Sequence, residues 1–100
     1  MLNKENAIKA VTRATRISTS EMLSESREWP CVEARMLLVY LLSQEGMTDE
    51  AISWVINRKR VAVLKARHNA VEQLEVSRQF TEKWNQVKSL YDEYQSVRVS

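Results

Sequence analysis

One glycine and one proline occur in the whole 100-residue chain, so almost nothing in it interrupts a helix. Apolar residues recur at three- and four-residue spacing through most of the sequence, as expected for helices that each bury one side. The expectation is an all-α fold, a compact five- or six-helix domain with no strand. One hundred residues suffice for one hydrophobic core and are too few to divide comfortably into two. No repeat or low-complexity block marks a boundary, so residues 1–100 are read as a single domain with a frayed tail over 96–100.

In the opening segment Ala7, Ile8, Val11 and Ala14 form an apolar side opposite Lys4, Lys9 and Arg13. Arg13 and Arg16 are either a solvated basic face or phosphate contacts. Ser18-Thr19-Ser20-Glu21 is a capping box, in which Ser18 accepts from a first-turn amide and Glu21 bonds back. It predicts a short helix ending near Ser26 and gives Ser18 a structural role in place of a nucleophilic one.

Trp29-Pro30 begins the next helix, where proline needs no amide donor. Val32, Met36, Val39, Tyr40 and Leu42, widened by Leu37, Leu38 and Leu41, make it the central core helix, and Gly46 provides its stop. Arg35 interrupts this surface and is expected in an ion pair. Toward the other end, Phe80, Trp84, Val87, Leu90 or Tyr91, and Tyr94 line a helix that closes over the core or meets another subunit. A joint is expected over residues 74–77.

Residues 48–74 have the grammar of a helix-turn-helix. Thr48 is the N-cap of a short helix with Asp49 and Glu50 in its first turn and Ile52, Val55 and Ile56 inside. Asn57 suits the turn because it tolerates left-handed angles. The longer second helix opens with Arg58, Lys59 and Arg60 and is expected to bury a stripe of Val61, Leu64, Val71 and Leu74. From Arg58 to Arg67 there are five basic residues and no acid, although the chain's net charge is only +2. That local field points to an anionic partner.

Read as a duplex-binding surface, Arg58 and Lys59 meet phosphates. Arg60 carries the donor fork that reads guanine, or binds phosphate as well. Ala62 and Val63 permit close approach and a thymine-methyl contact, with packing as the other role for Val63. Lys65 and Arg67 extend the positive field. His68 is either a phosphate-side donor or a boundary residue.

Catalysis finds little support. The acids fit caps and solvated faces better than a two-metal nuclease, and Cys31 with distant His68 is no thiol motif. A lone histidine and a lone cysteine offer no metal-ligand cluster, and no glycine-rich phosphate loop is present. No enzyme, cofactor or metal is expected. The single cysteine suits a reducing compartment, and neither a membrane-length apolar run nor an export signal is seen, so the expected location is the cytoplasm.

The stretch from about Ala7 to Tyr94, above all VEARMLLVYLL, GMTDEAI and INRKRVAVLKA, resembles the carboxy-terminal DNA-binding domain of the bacterial replication initiator DnaA, a TrpR-like helix-turn-helix. Ala34-Arg35 matches the pair that opens that family's long core helix. Arg58, Lys59, Arg60, Val61 and Ala62 stand where the family has Arg-Asp-His-Thr-Thr, and only Arg58 keeps the family's residue. Asn57 replaces a two-glycine turn. The resemblance implies the fold and general duplex binding, in replication or transcription regulation, and not recognition of a replication-origin sequence. The alternative is a protein-interaction or oligomerisation module, a homodimer or a dock for a replication protein, displaying Trp54, Trp84 and Tyr91.

Overall fold

The computed structural model describes residues 2–96 and is helical throughout its regular structure. Among the described residues there are six helices, α1 (Lys4–Thr15), α2 (Thr19–Met22), α3 (Trp29–Gln44), α4 (Asp49–Ile56), α5 (Arg60–Val76) and α6 (Arg78–Ser96). The radius of gyration is 12.7 Å, close to the roughly 13 Å of a compact domain this long. Of the tail expected over 96–100, only Ser96 lies within the described residues.

Local chemistry sets the helix ends. Asn3 caps α1 by accepting from the Asn6 amide at 3.1 Å. Both halves of the Ser18–Glu21 capping box form, but α2 stops at Met22, short of the expected Ser26. Thr48 caps α4 by accepting from the Ala51 amide at 3.1 Å. Asn57 ends α4 in the left-handed region, at φ 54°, and Gly46 takes φ 96° beyond α3. Ser77 alone separates α5 from α6, within the expected joint.

Helix α3 is buried on nearly every side, through Ala34, Met36, Leu37, Leu38, Val39, Leu41 and Leu42. Helices α1, α5 and α6 pack around it, and α6 closes over α1 with Phe80, Val87 and Tyr91 inside. Trp84 meets Tyr40 edge to face at 4.7 Å. Among the described residues Glu33, on α3, is the one buried charged residue, and Lys83 on α6 pairs with it at 2.6 Å. Among the described residues, no helix is long and apolar enough to cross a membrane.

The expected orientation of α5 is corrected. Its inward row is Val63, Ala66, Ala70 and Leu74, whereas Val61 is 74% exposed and Leu64 and Val71 about two-fifths exposed. Sequence periodicity supplies two apolar rows on this helix. The row that won is built on small side chains, and Ala66 and Ala70 allow the backbone of α5 to approach its neighbours closely.

Candidate nucleic-acid interface

The α4 to α5 connection consists of residues 57–59, and α5 begins at Arg60, two residues later than expected. Lys59 is therefore the N-cap and Arg58 belongs to the turn. The Lys59 side chain makes no cap hydrogen bond to the first turn of α5. Lys59, Arg60, Val61 and Ala62 are all exposed, so this helix entrance stands open to solvent. One turn on, Lys65 and Asn69 are exposed beside Ala62. Cationic groups thus occupy the first half of the outer surface of α5, and Glu72 and Glu75 the second.

Arg58 is half-buried and turned back on the body of the protein, where its Nη2 donates to the Ser24 carbonyl. Arg35 is held in the same way, with Nε donating to the Met22 carbonyl at 2.8 Å and Nη2 to the Ser26 carbonyl. The ion pair expected for Arg35 is therefore replaced by backbone acceptors. Burial and then the neighbouring Arg58 charge push the Arg35 guanidinium below the ordinary arginine range. The carbonyls take one hydrogen bond from Arg58 and two from Arg35, out of five N–H groups on each, and leave both charges unneutralised.

The pair borders a cleft of about 180 Å³ between α3 and α5, with Val32, Met36 and Ile56 in its lining and Lys65 and Asn69 on its α5 side. That volume admits a phosphate-sized group, whereas pockets for drug-sized ligands run from about 300 Å³ upward. Sequence reasoning missed Arg35 as part of this basic edge. Helical spacing placed it on the core helix, and only the fold carries residues 22–26 and Arg58 to it.

Two expected contacts leave the surface set. Val63 is fully buried, because it belongs to the inward row of α5, and it has no face left for a groove. Arg67 is committed to Asp49 on α4, with Nε to Oδ1 at 3.2 Å and Nη2 to Oδ2 at 2.8 Å. The bidentate hydrogen bond, more than the charges alone, lowers the Asp49 carboxyl below its usual range and raises Arg67. Arg60 also lies close enough to Asp49 to favour its ionised form. Arg13 and Arg16 are exposed on and just beyond α1, a different element from the α4 to α5 unit.

The aromatic surface expected for the alternative reading does not assemble. Tyr91 is buried and Trp84 packs against the core, which leaves Trp54 exposed alone at 80%, beside Arg58 and Lys59. No protein-family model and no curated protein matches this chain.

Proposed function

We propose that this domain binds duplex DNA through α4 and α5 arranged as a helix-turn-helix. The observation that carries the reading is the open, basic entrance of α5, where Lys59, Arg60 and Lys65 project around the small exposed Ala62. Recognition helices meet base edges mainly with their first turns, and here the acids are confined to the second half of the helix. Lys59 and Lys65 supply phosphate contacts. Arg60 supplies the planar donor fork suited to guanine, and Ala62 leaves room for the groove wall to approach.

Arg35 and Arg58 add a fixed element. Their guanidinium groups are positioned by backbone carbonyls before any ligand arrives, so holding a phosphate at the cleft costs little side-chain ordering. Arg67 and Val63 are not among the contacts. The pattern-level resemblance of residues 7–94 to the DnaA-type domain adds weight to a role in replication or in transcriptional regulation, and the domain is proposed to act in the cytoplasm without catalysis, cofactor or metal.

Duplex binding measured across salt tests this directly. Each phosphate contact contributes about 0.9 to the slope of log affinity against log salt. Lys59→Ala, Arg60→Ala and Lys65→Ala together should therefore lower the slope by about 2 to 3, and Arg58→Met by about 1 more. No binding to mixed-sequence duplexes at low salt, or a slope unchanged in the triple variant, rejects the proposal. One observation favours a second reading, docking of a protein: the exposed indole of Trp54. That reading takes over if duplex binding is absent, and Trp54→Ala then abolishes partner capture.

A further inference from the structure

The outer surface of α5 carries a second pattern, independent of its basic entrance. Val61, Leu64, His68, Val71 and Glu75 follow one another at intervals of three, four, three and four, the spacing of a coiled-coil seam. All five are exposed. The domain core already uses the other row, through Val63, Ala66, Ala70 and Leu74, so nothing within the described residues covers this one. Val76 extends the apolar surface at the far end and is 72% exposed. Isolated apolar side chains on a surface are ordinary, but a row in seam register along a 17-residue helix is not.

The charges beside the seam identify what fits it. Lys65 and Glu72 flank the row on the same side, seven residues apart and centred close to His68. A two-fold axis through His68, perpendicular to the helix, superposes position n on position 136 − n of a second copy. That operation sets Val61 level with Glu75 at the end of the row and brings Leu64 to within one residue of the level of Val71, and Lys65 to within one residue of the level of Glu72, an offset of about 1.5 Å. Each apolar contact and each ion pair then occurs twice, as an interface that repeats one patch on both subunits requires. In a parallel pairing this flank would instead face the opposite flank of the second helix, which sets Lys65 beside Arg60, a like-charge contact, and Glu72 beside Arg67, whose guanidinium Asp49 already holds.

We propose that α5 pairs antiparallel with α5 of a second copy of this chain, centred on His68. Both helices are already held by their domains, so association does not incur the cost of helix nucleation. The residues of the seam span about 21 Å of helix, which gives a small interface and a weak, reversible dimer with a dissociation constant on the order of 10 μM. Lys65 belongs to both this seam and the basic entrance, so the paired form withholds a phosphate-binding lysine.

Sedimentation velocity of the full chain over a concentration series reads the equilibrium. Wild type is expected to pass from monomer to dimer, and His68→Leu to tighten the dimer by removing two polar rings from its centre. Leu64→Glu should leave only monomer. Lys65→Glu and Glu72→Lys should each weaken association about fivefold or more, and the double variant carrying both exchanges should recover most of it. These charged positions are exposed, so circular dichroism should show every charge variant folded. A wild-type monomer up to about 1 mM, which is far above the expected constant, overturns the pairing. A dimer that survives Leu64→Glu, or a double exchange no better than the singles, overturns it as well.

Discussion

The rotational setting of α5 decides which side chains a partner can touch, and two valines two residues apart report on it. Val63→Ala removes two buried methyl groups, worth about 1.6 kcal/mol of transfer. The cavity left behind adds roughly 1 kcal/mol, and the better helix propensity of alanine returns about 0.5 kcal/mol. The net loss expected is about 2 kcal/mol. Val61→Ala removes the same atoms from a side chain that is 74% exposed. Its transfer loss is about a quarter of that for Val63, or about 0.4 kcal/mol, and the propensity gain cancels it.

Urea unfolding followed by far-ultraviolet circular dichroism separates the two. With a slope of about 1 to 1.5 kcal/mol per molar, Val63→Ala should lower the midpoint by about 1.5 M and leave the slope unchanged. Val61→Ala should stay within about 0.3 M of wild type. Equal losses at the two positions, or the larger loss at Val61, would mean that α5 is turned by roughly a third of a revolution. The assignments of Ala62 and Lys65 to its outer surface would then fail with it.

Two further perturbations address the contacts that hold α5 and α6 in place. Asp49→Asn removes the carboxylate that Arg67 grips and should cost about 1 kcal/mol at neutral pH. Because folding lowers the Asp49 pKa, this contribution is fully present above the unfolded carboxyl range near pH 4. It disappears as the pH falls through the lower folded value, so wild type and variant should converge in acid, and a gap that persists there rejects the pair as its source. Lys83→Met strands the Glu33 carboxylate, whose side chain is only 5% exposed, and should cost about 3 kcal/mol. Glu33→Leu combined with Lys83→Met should restore most of that loss in the same urea assay, and a double variant no more stable than the single one rejects the explanation.

Much of this architecture follows from local chemistry that a sequence displays openly. The Ser18–Glu21 box, the Thr48 cap, the left-handed Asn57 and the positive φ of Gly46 each act over a few residues, so residue type and spacing were enough to place them. The breadth of the apolar run from Val32 to Leu42 likewise marked α3 as the central helix, because a helix apolar on most sides has to be surrounded. Phe80, Val87 and Tyr91 repeat on one face of α6 alone, and that face is the buried one.

Helix α5 was legible as a helix and misleading as to its orientation. Val61, Leu64 and Val71 form one apolar row and Val63, Ala66 and Ala70 another, and hydropathy favours the row of larger side chains. Packing against α3 favoured the smaller ones. The same limit applied to the cations. Arg67 reads as part of a basic block until α4 brings Asp49 to it, and Arg35 reads as an interruption in a core helix until the chain returns Arg58 to its side.

The helical class, the positions of the caps and turns, and the concentration of positive charge from Arg58 to Arg67 are written in the order of the residues, because each of these depends on neighbours close together in the chain. Which row of α5 lies inside, and which cations remain open to a partner, is settled by how the helices pack. Those outcomes turn on shape and on acceptors contributed by residues far away in sequence, and periodicity carries no information about either.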